Sequence, residues 1–299
     1  MTIVDLSAME DFSPDLLISF GGPVVSKRLK LWLQKQPSLT HWRIADDDDS
    51  IDTYQNRKAL LIGTPAEILK KLSESGIVSD PMFLKHWKEA YDESFMKDHS
   101  FFQSVPFSDS LVFNYLMNHL PENITLHLGN SSPVRYAQLY DCRQSSAVYS
   151  NRGVSGIDGC LSTAAGIAAV REGLHLLLIG DLSFVYDSNG LWNRDLPNNL
   201  RIVVINNGGG GIFRLLPGPS EHECFEPFQE AHHPVNIKKL VEAFGVDYYG
   251  CQNRKELEEC FPAFIHSGNG AAILEIKTPR LENAETYSSH LKQIEKIKI

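Results

Sequence analysis

Two motifs carry oxygen-bearing side chains of the kind that bind a hard cation. Asp181 follows the apolar run "HLLLIG", while Asn206 and Asn207 follow "RIVVI" and precede four glycines at 208–211. Mg²⁺ rarely takes its whole octahedral shell from protein, so a carboxylate, an amide oxygen and a backbone carbonyl leave room for phosphate oxygens and water. Glycines let the backbone approach such ligands without an intervening Cβ. A plain glycine-rich turn is the alternative, but together the motifs favour a cation and phosphate site.

The elements around these motifs must bring them into one crevice. The segment between Asp181 and Asn207 is long enough for one crossover helix between neighbouring parallel strands. Both preceding runs are apolar throughout rather than alternating, which is typical of strands covered on both faces. In doubly wound α/β domains, ligands bind just beyond the carboxyl ends of the strands. We therefore expect the two motifs to face the same ligand.

Strands alternate with helices along the chain, without an internal repeat. Residues 1–104 predict a small parallel sheet that ends in a helical connector over 82–104, and residues 105–299 predict a larger doubly wound sheet. The predicted class is α/β with two doubly wound parallel-sheet domains. The first strand is followed by "SFGGPVVSK", which lacks the G-x-G-x-x-G pattern, so no nucleotide site is predicted there.

Composition excludes several classes of protein. The 28 Lys and Arg residues against 37 Asp and Glu residues give a net charge of -9, which argues against nucleic acid as a partner. The five cysteines are widely spaced and form no C-x-x-C pair, which predicts neither a zinc site nor a disulfide framework and favours a reducing cytoplasm. The N-terminus lacks a signal-peptide pattern, and no run of 18 uncharged apolar residues predicts a membrane span.

Histidines and acidic residues cluster between 217 and 235. His232, His233 and the stretch "EHEC" at 221–224 are residue types that bind metals, but their spacing matches no metal motif. We interpret them as residues of a long loop that forms part of a mobile lid.

The paired motifs resemble the diphosphate-binding signature of thiamine diphosphate (ThDP) enzymes, with Leu182 in place of the last glycine of "GDG". Longer segments resemble the MenD family, the 2-succinyl-5-enolpyruvyl-6-hydroxy-3-cyclohexene-1-carboxylate synthases of menaquinone biosynthesis: "GNSSPVR", "VYSNRGVSGIDGCLSTAAGIA", "IGDLSFVYDSNGL" and "NNGGGGIFRLLP". The resemblance covers the second domain throughout and the first more loosely, through "VVSKRLKLW". It implies a central Rossmann-like scaffold at 1–104 and a diphosphate-binding domain at 105–299.

The resemblance also implies a metal site. Asp181, the side-chain oxygen of Asn207 and the carbonyl of Gly209 would bind Mg²⁺ or Mn²⁺. Asn206 would then have a structural role beside the ion.

Cofactor contacts follow from the same resemblance. Leu182 and Ser183 would lie against the diphosphate, and Ser183 also fits a helix N-cap. Ile157 would be the aliphatic wedge that bends ThDP, with an ordinary core isoleucine as the alternative. Ile212 and Phe213 would line the apolar side of the reaction centre.

Substrate contacts are implied at four further positions. Planar guanidinium groups bind carboxylates bidentately, and Arg135 and Arg152 match family arginines at predicted strand ends. A surface salt bridge is the alternative for each. Ser131 and Lys27 match active-site positions as well.

The implied activity is decarboxylation of 2-oxoglutarate and addition of the resulting succinyl carbanion to isochorismate. The family's N-terminal pyrimidine domain, whose glutamate activates the cofactor, has no match in these 299 residues. We expect the C-terminal part of a longer enzyme that is inactive alone. It would be completed by a pyrimidine domain within a homodimer or higher oligomer, with the first domain contributing to the assembly interface.

Two other interpretations remain open from the sequence. The chain is also compatible with a diphosphate-domain subunit of another 2-oxoacid ThDP decarboxylase or synthase. The second is a catalytically inactive assembly module, but the retention of Asp181, Asn207 and both arginines argues against it.

Overall fold

The computed structural model describes residues 12–22, 24–48, 51–76, 80–142, 144–215, 221–268 and 270–295, without the side chains of 94–99 and 294–295. The described residues of Met1–Phe101 and Leu291–Ile299 form one compact unit, and Phe102–His290 form the other. The strand pairs in both units are parallel. The predicted α/β class with two parallel sheets is confirmed.

The first unit contains a three-stranded sheet of order β1-β2-β3. Helix α2 begins after the N-cap residue Thr64, whose Oγ1 accepts from the backbone N–H of Glu67 and donates to the Glu67 carboxylate. A small core includes Phe12, Trp32 and Leu33. The elements are β1 Leu16–Ser19, α1 Lys27–Gln34, β2 Thr40–Ala45, β3 Arg57–Ile62, α2 Pro65–Glu74 and α3 Pro81–Phe102.

The second unit contains a six-stranded sheet of order β5-β4-β6-β7-β9-β8. Three short helices of other types lie at Ser188–Trp192, Gly211–Leu215 and Phe225–Gln229. The elements are α4 Asp109–Asn118, β4 Thr125–Leu128, α5 Ser132–Ala137, β5 Ala147–Tyr149, α6 Cys160–Val170, β6 His175–Gly180, α7 Asp181–Tyr186, β7 Leu200–Asn206, α8 Ile237–Ala243, β8 Asp247–Cys251, α9 Arg254–Ile265, β9 Ala272–Lys277 and α10 Glu282–Glu295.

The strand order places the two motifs at adjacent strand ends. Strands β6 and β7 pair in parallel, with Gly180 opposite Ile205, and five successive residues of β6 and six of β7 are buried. Burial of these apolar runs between helical layers explains why they do not alternate with polar residues. Strand β5 lies on one side of β4 in the sheet, and the next strand in the chain, β6, lies on the other side. This reversal makes a topological switch point between β4 and β6.

The five cysteines are free thiols. Within the described ranges, the structure contains no helix with the length and apolar character required to cross a membrane.

Candidate cofactor site

The Asp181 carboxylate organises the turn after β7. Asp181 is the first residue of α7 and is 2% exposed. Its Oδ2 accepts hydrogen bonds from the backbone N–H groups of Gly208 at 2.8 Å and Gly209 at 2.9 Å, and its Oδ1 accepts from Leu182 N–H at 2.7 Å. Gly208 and Gly209 have φ values of +80° and +151°, which favour glycine. The two predicted motifs are therefore in direct contact at the ends of neighbouring strands.

The two asparagines of this turn have different roles. Asn206 donates through Nδ2 to Glu275 Oε1 at 2.6 Å, and its Oδ1 accepts from Gly208 N–H at 3.1 Å. Glu275 lies on the neighbouring strand β9, is buried, and accepts from the Tyr248 hydroxyl through its other oxygen. Asn206 therefore shapes the turn and has both polar ends occupied within the protein.

Asn207 instead presents an unused acceptor. Its Nδ2 donates to Asp109 Oδ2 at 2.8 Å, whereas its Oδ1 is buried and has no hydrogen-bond partner among the described residues. Buried polar atoms almost always have a partner, so an orphaned acceptor of this kind indicates a missing ion or donor. Beside the Asp181 carboxylate, such an oxygen fits a divalent cation.

The glycines also permit close packing of a second loop. A Cβ on Gly209 would lie 2.6 Å from the backbone oxygen of Glu230, and Gly210 N–H donates to that same oxygen at 2.5 Å. The Gly209 carbonyl accepts from Gly211 N–H at 3.0 Å and keeps a second lone pair. The bare backbone thus serves protein packing as well as the approach to a ligand.

Two histidines of that loop lie against the turn. His233 Nε2 is 3.4 Å from Asp181 Oδ2, and His232 Nδ1 is 2.7 Å from the carbonyl oxygen of Gly208. The Asp181 carboxylate raises the pKa of His233 against the opposing effect of burial. Both residues lie in a loop, as the sequence predicted. Their contacts with the turn after β7 were not predicted. Among the described residues no cluster of three or more His, Cys, Asp or Glu side chains could hold a metal, so an ion at this turn would need amide and backbone oxygens in addition to the Asp181 carboxylate.

A buried ion-pair network holds the loop in place. The Glu230 side chain is fully buried and accepts a bidentate pair of hydrogen bonds from Arg214 Nε and Nη2, both at 2.6 Å. Arg280 Nη1 donates to Glu230 Oε2 at 2.7 Å, and the exposed Glu226 contacts both arginines. Because a bidentate arginine pair fixes geometry, the network holds residues 226–233 over the turn.

Beneath the turn, Asp109 is a buried carboxylate. Burial raises its pKa to about 6, against hydrogen bonds from Thr278 and Asn207 that favour the ionised form. Asp109 is the first residue of helix α4. The N-cap is Ser108, whose hydroxyl accepts from Leu111 N–H.

An arginine site forms at the switch point between β4 and β6. Arg152 Nη1 donates to Asn130 Oδ1 at 2.7 Å, and Asn130 Nδ2 donates to the carbonyls of Asn151 at 2.7 Å and Gly156 at 2.6 Å. Burial, and then the neighbouring Arg135 charge, lower the pKa of Arg152. The structure therefore brings the two predicted arginines together. Asn130 is not among the residues predicted from the sequence, although a polar residue directly after a buried strand is a signal for such a site.

Comparison with known proteins identifies the family. A model described as "Thiamine pyrophosphate enzyme, C-terminal TPP binding domain" matches residues 129–276, and one described as "Middle domain of thiamine pyrophosphate" matches residues 11–128. The chain belongs to the thiamine pyrophosphate enzymes.

Curated relatives narrow the resemblance within that family. The chain is 37% identical over 295 residues to a protein of Flavobacterium johnsoniae, covering 98% of this chain and 53% of the relative. It is 42% identical over 264 residues to one of Desulfotalea psychrophila (88% and 47%) and 34% identical over 294 residues to one of Porphyromonas gingivalis (95% and 51%). All three are named 2-succinyl-5-enolpyruvyl-6-hydroxy-3-cyclohexene-1-carboxylate synthase, which confirms the resemblance to the MenD family. The chain spans about half the length of these relatives.

Ser183 contacts Ile157, a residue predicted to bind the cofactor. The Ser183 hydroxyl donates to the carbonyl oxygen of Ile157. The N-cap of α7 is Gly180, without a side-chain cap, so the interpretation of Ser183 as an N-cap is wrong. Since the Ser183 hydroxyl donates its single hydrogen to the Ile157 carbonyl, Ser183 positions the loop after β5.

Ile157 itself is only partly buried, which is not the environment of an ordinary core isoleucine. Contact of Leu182 and Ser183 with a diphosphate stays a prediction.

The remaining predicted residues lie in three places. Ser131 precedes α5 with φ of +69°, an uncommon conformation for a residue with a Cβ. Ile212 and Phe213 lie in the short helix Gly211–Leu215, directly after the glycines, and Phe213 is 38% exposed. Lys27 is the exposed first residue of α1 in the first unit, and its role at the site stays a prediction.

Proposed function

We propose that this chain is the central and diphosphate-binding part of a ThDP- and Mg²⁺-dependent synthase of menaquinone biosynthesis. The reaction would be the decarboxylation of 2-oxoglutarate and the addition of the succinyl carbanion to isochorismate. The observation that carries the proposal is the orphaned Asn207 Oδ1 beside the Asp181 carboxylate in a chain whose relatives bear that synthase name.

The residues at the turn would hold the cation. Asp181 supplies a carboxylate that three backbone N–H groups already orient, Asn207 supplies its unpartnered oxygen, and the Gly209 carbonyl supplies a free lone pair. Mg²⁺ or Mn²⁺ would link these oxygens to the diphosphate of ThDP, and Leu182 and Ser183 would flank it. ThDP, when bound, supplies the electron sink that 2-oxoacid decarboxylation requires.

The arginine site would bind the substrate carboxylates. Arg135 lies close enough to Arg152 for its charge to lower the pKa of Arg152, and among the described residues neither guanidinium forms a salt bridge. Two guanidinium groups suit dicarboxylic or tricarboxylic substrates because each binds a carboxylate bidentately. Ser131 and Lys27 would add further polar contacts.

Apolar residues would protect the reacting centre. Ile157 would support the cofactor from below, while Ile212 and Phe213 would cover its other side and exclude water. Exclusion of water matters because a proton from solvent would quench a carbanion before it reached its acceptor.

We further propose that residues 1–104 serve as a scaffold and residues 105–299 as the diphosphate-binding domain. A pyrimidine domain carrying the activating glutamate would complete the site within a cytoplasmic homodimer or higher oligomer. This arrangement predicts that the 299-residue chain has no synthase activity by itself.

Product formation tests the function directly. The synthase product is measured from 2-oxoglutarate and isochorismate with Mg²⁺ and ThDP, using the chain alone and the chain joined to the family's N-terminal domain. We expect product only from the joined form. Release of CO₂ without isochorismate consumption would point to a decarboxylase, and robust turnover by the chain alone would contradict the need for the second domain.

A further inference from the structure

A buried chain of hydrogen bonds runs beneath the turn and ends at the Asn207 amide. The backbone N–H of Asp109 donates to Asn283 Oδ1 at 2.8 Å, and Asn283 Nδ2 donates to Thr278 Oγ1 at 3.3 Å. The Thr278 hydroxyl donates to Asp109 Oδ1 at 2.5 Å, and Asn207 Nδ2 donates to Asp109 Oδ2 at 2.8 Å. These four side chains belong to buried residues from three separate segments of the chain, with Thr278 and Asn283 in the same segment.

The direction of each hydrogen bond follows from the one before it. A backbone N–H can only donate, so Asn283 turns its oxygen toward Asp109 and its NH₂ group toward Thr278. Thr278 then accepts from Asn283, and its single hydroxyl hydrogen is directed to Asp109. A carboxylate only accepts, so Asn207 must turn its NH₂ group toward Asp109.

The consequence is that the other end of the Asn207 amide is an oxygen. That oxygen is the buried acceptor without a partner among the described residues. If the amide were rotated by half a turn, its NH₂ group would occupy the same position and would repel a cation.

We infer that Asp109 is a positioning residue that holds the Asn207 amide with its oxygen available to the divalent cation. The inference rests on the proposed function, in which Asn207 is a cation ligand. Asp109 touches neither the ion nor the substrate in this role. It acts only through the orientation of Asn207.

The choice of a carboxylate at position 109 supports this role. Burying a carboxylate is unfavourable compared with burying a neutral amide of the same shape. An asparagine at 109 would accept from Thr278 through its oxygen and would direct its NH₂ group toward Asn207. Asn207 would then turn its own oxygen toward residue 109, away from the ion. Of these two side chains of the same shape, only aspartate at position 109 therefore requires Asn207 to donate a hydrogen bond.

Asp109→Asn tests the inference without changing side-chain shape. We expect the intact protein to fold, because every buried hydrogen bond can be remade, and to lose about 10- to 100-fold in Mg²⁺-dependent ThDP affinity, the range typical of residues that orient metal ligands. Calorimetry of ThDP binding with Mg²⁺ measures the loss, and electron paramagnetic resonance of bound Mn²⁺ reports the ion directly. Ser110→Ala, at the next buried position of α4, is the matched control and should bind normally.

The exchange variant Asp109→Asn with Asn207→Asp separates orientation from general stability. Asn at 109 would donate to one oxygen of Asp at 207, whose other oxygen would face the cation. We expect most of the affinity to return in this double variant, which a purely structural role of Asp109 does not predict.

The outcomes distinguish the two proposals. Unchanged affinity in folded Asp109→Asn, or no recovery in a folded exchange variant, would overturn the positioning role while leaving the proposed function intact. If the unmutated intact protein bound no ThDP with Mg²⁺, the proposed function would fall, and the role of Asp109 with it.

Discussion

Arg152 Nη1 lies 2.7 Å from Asn130 Oδ1, and this hydrogen bond joins the loop after β5 to the end of β4. The same Asn130 side chain also donates to two carbonyl groups of that loop. Asn130 therefore fixes both the path of the loop and the direction of the Arg152 guanidinium.

Replacement of Asn130 should weaken substrate binding. Asn130→Ala removes one hydrogen bond to a charged group, worth about 1.5–3 kcal/mol, so we expect kcat/KM for 2-oxoglutarate or isochorismate to fall about 10- to 100-fold, mainly through KM. Steady-state kinetics of the intact enzyme measures the change. Asn118→Ala, an exposed asparagine of α4, is the control. An unchanged KM would show that Arg152 does not depend on Asn130.

Replacement of Asp181 should abolish cofactor binding. Asp181→Ala removes the carboxylate proposed to bind the cation and the acceptor of the Gly208 and Gly209 N–H groups, so both the ion and the turn would lose their support. We expect no detectable Mg²⁺-dependent ThDP binding by calorimetry. The exposed Asp195→Ala should bind ThDP as the unmutated protein does. ThDP affinity that survives in Asp181→Ala would exclude Asp181 as a cation ligand.

Disruption of the Glu230 network should destabilise the loop over the site. Glu230→Ala leaves Arg214 and Arg280 without their buried partner, and breaking such a pair costs about 3–5 kcal/mol. We expect a loss of that order in the free energy of unfolding, measured by urea denaturation. Glu226→Ala removes an exposed partner of the same arginines and should have a much smaller effect. Equal effects of the two replacements would argue against the buried pair as the main support.

Buried histidines should make the second unit sensitive to acid. His127 Nε2 lies 3.0 Å from His175 Nδ1, and burial, then the neighbouring His175, lower the pKa of His127 from 6.5 to about 4. The unfolded chain therefore binds more protons than the folded one between these pH values. Stability should be full above about pH 6.5 and should fall as the pH drops toward 4, by at most ~3 kcal/mol for this group.

Unfolding by urea at pH 7 and pH 5 measures this dependence. In His127→Gln the loss of stability between the two pH values should be smaller than in the unmutated protein. The exposed His119→Gln should keep the full loss. A pH dependence that is the same in His127→Gln and the unmutated protein would assign the acid sensitivity to other groups.

Local sequence determined the elements and the motif that they carry. The strand predicted from "RIVVI" is β7, Leu200–Asn206, because a short apolar run rich in β-branched Ile and Val favours a buried strand over a helix. The start of helix α7, Asp181–Tyr186, was not predicted at Asp181, since six residues are too few to show a helical period. The parallel pairing of β6 and β7 followed from the crossover length, and so did the meeting of Asp181 with the glycine turn.

The partners of the site residues were decided only by the tertiary structure. Asp109 is 98 positions from Asn207 in the chain, and no pattern in the sequence links them. Asn130 and His233 contact the site for the same reason, because folding brings together strand ends and loops that are remote in sequence. The sequence by itself determined which side chains are proposed to bind a cation and a diphosphate, since residue type and local spacing carry that information. Which atom of Asn207 is left for the ion depends on the tertiary structure, because an amide has two chemically opposite ends and only its buried neighbours orient it.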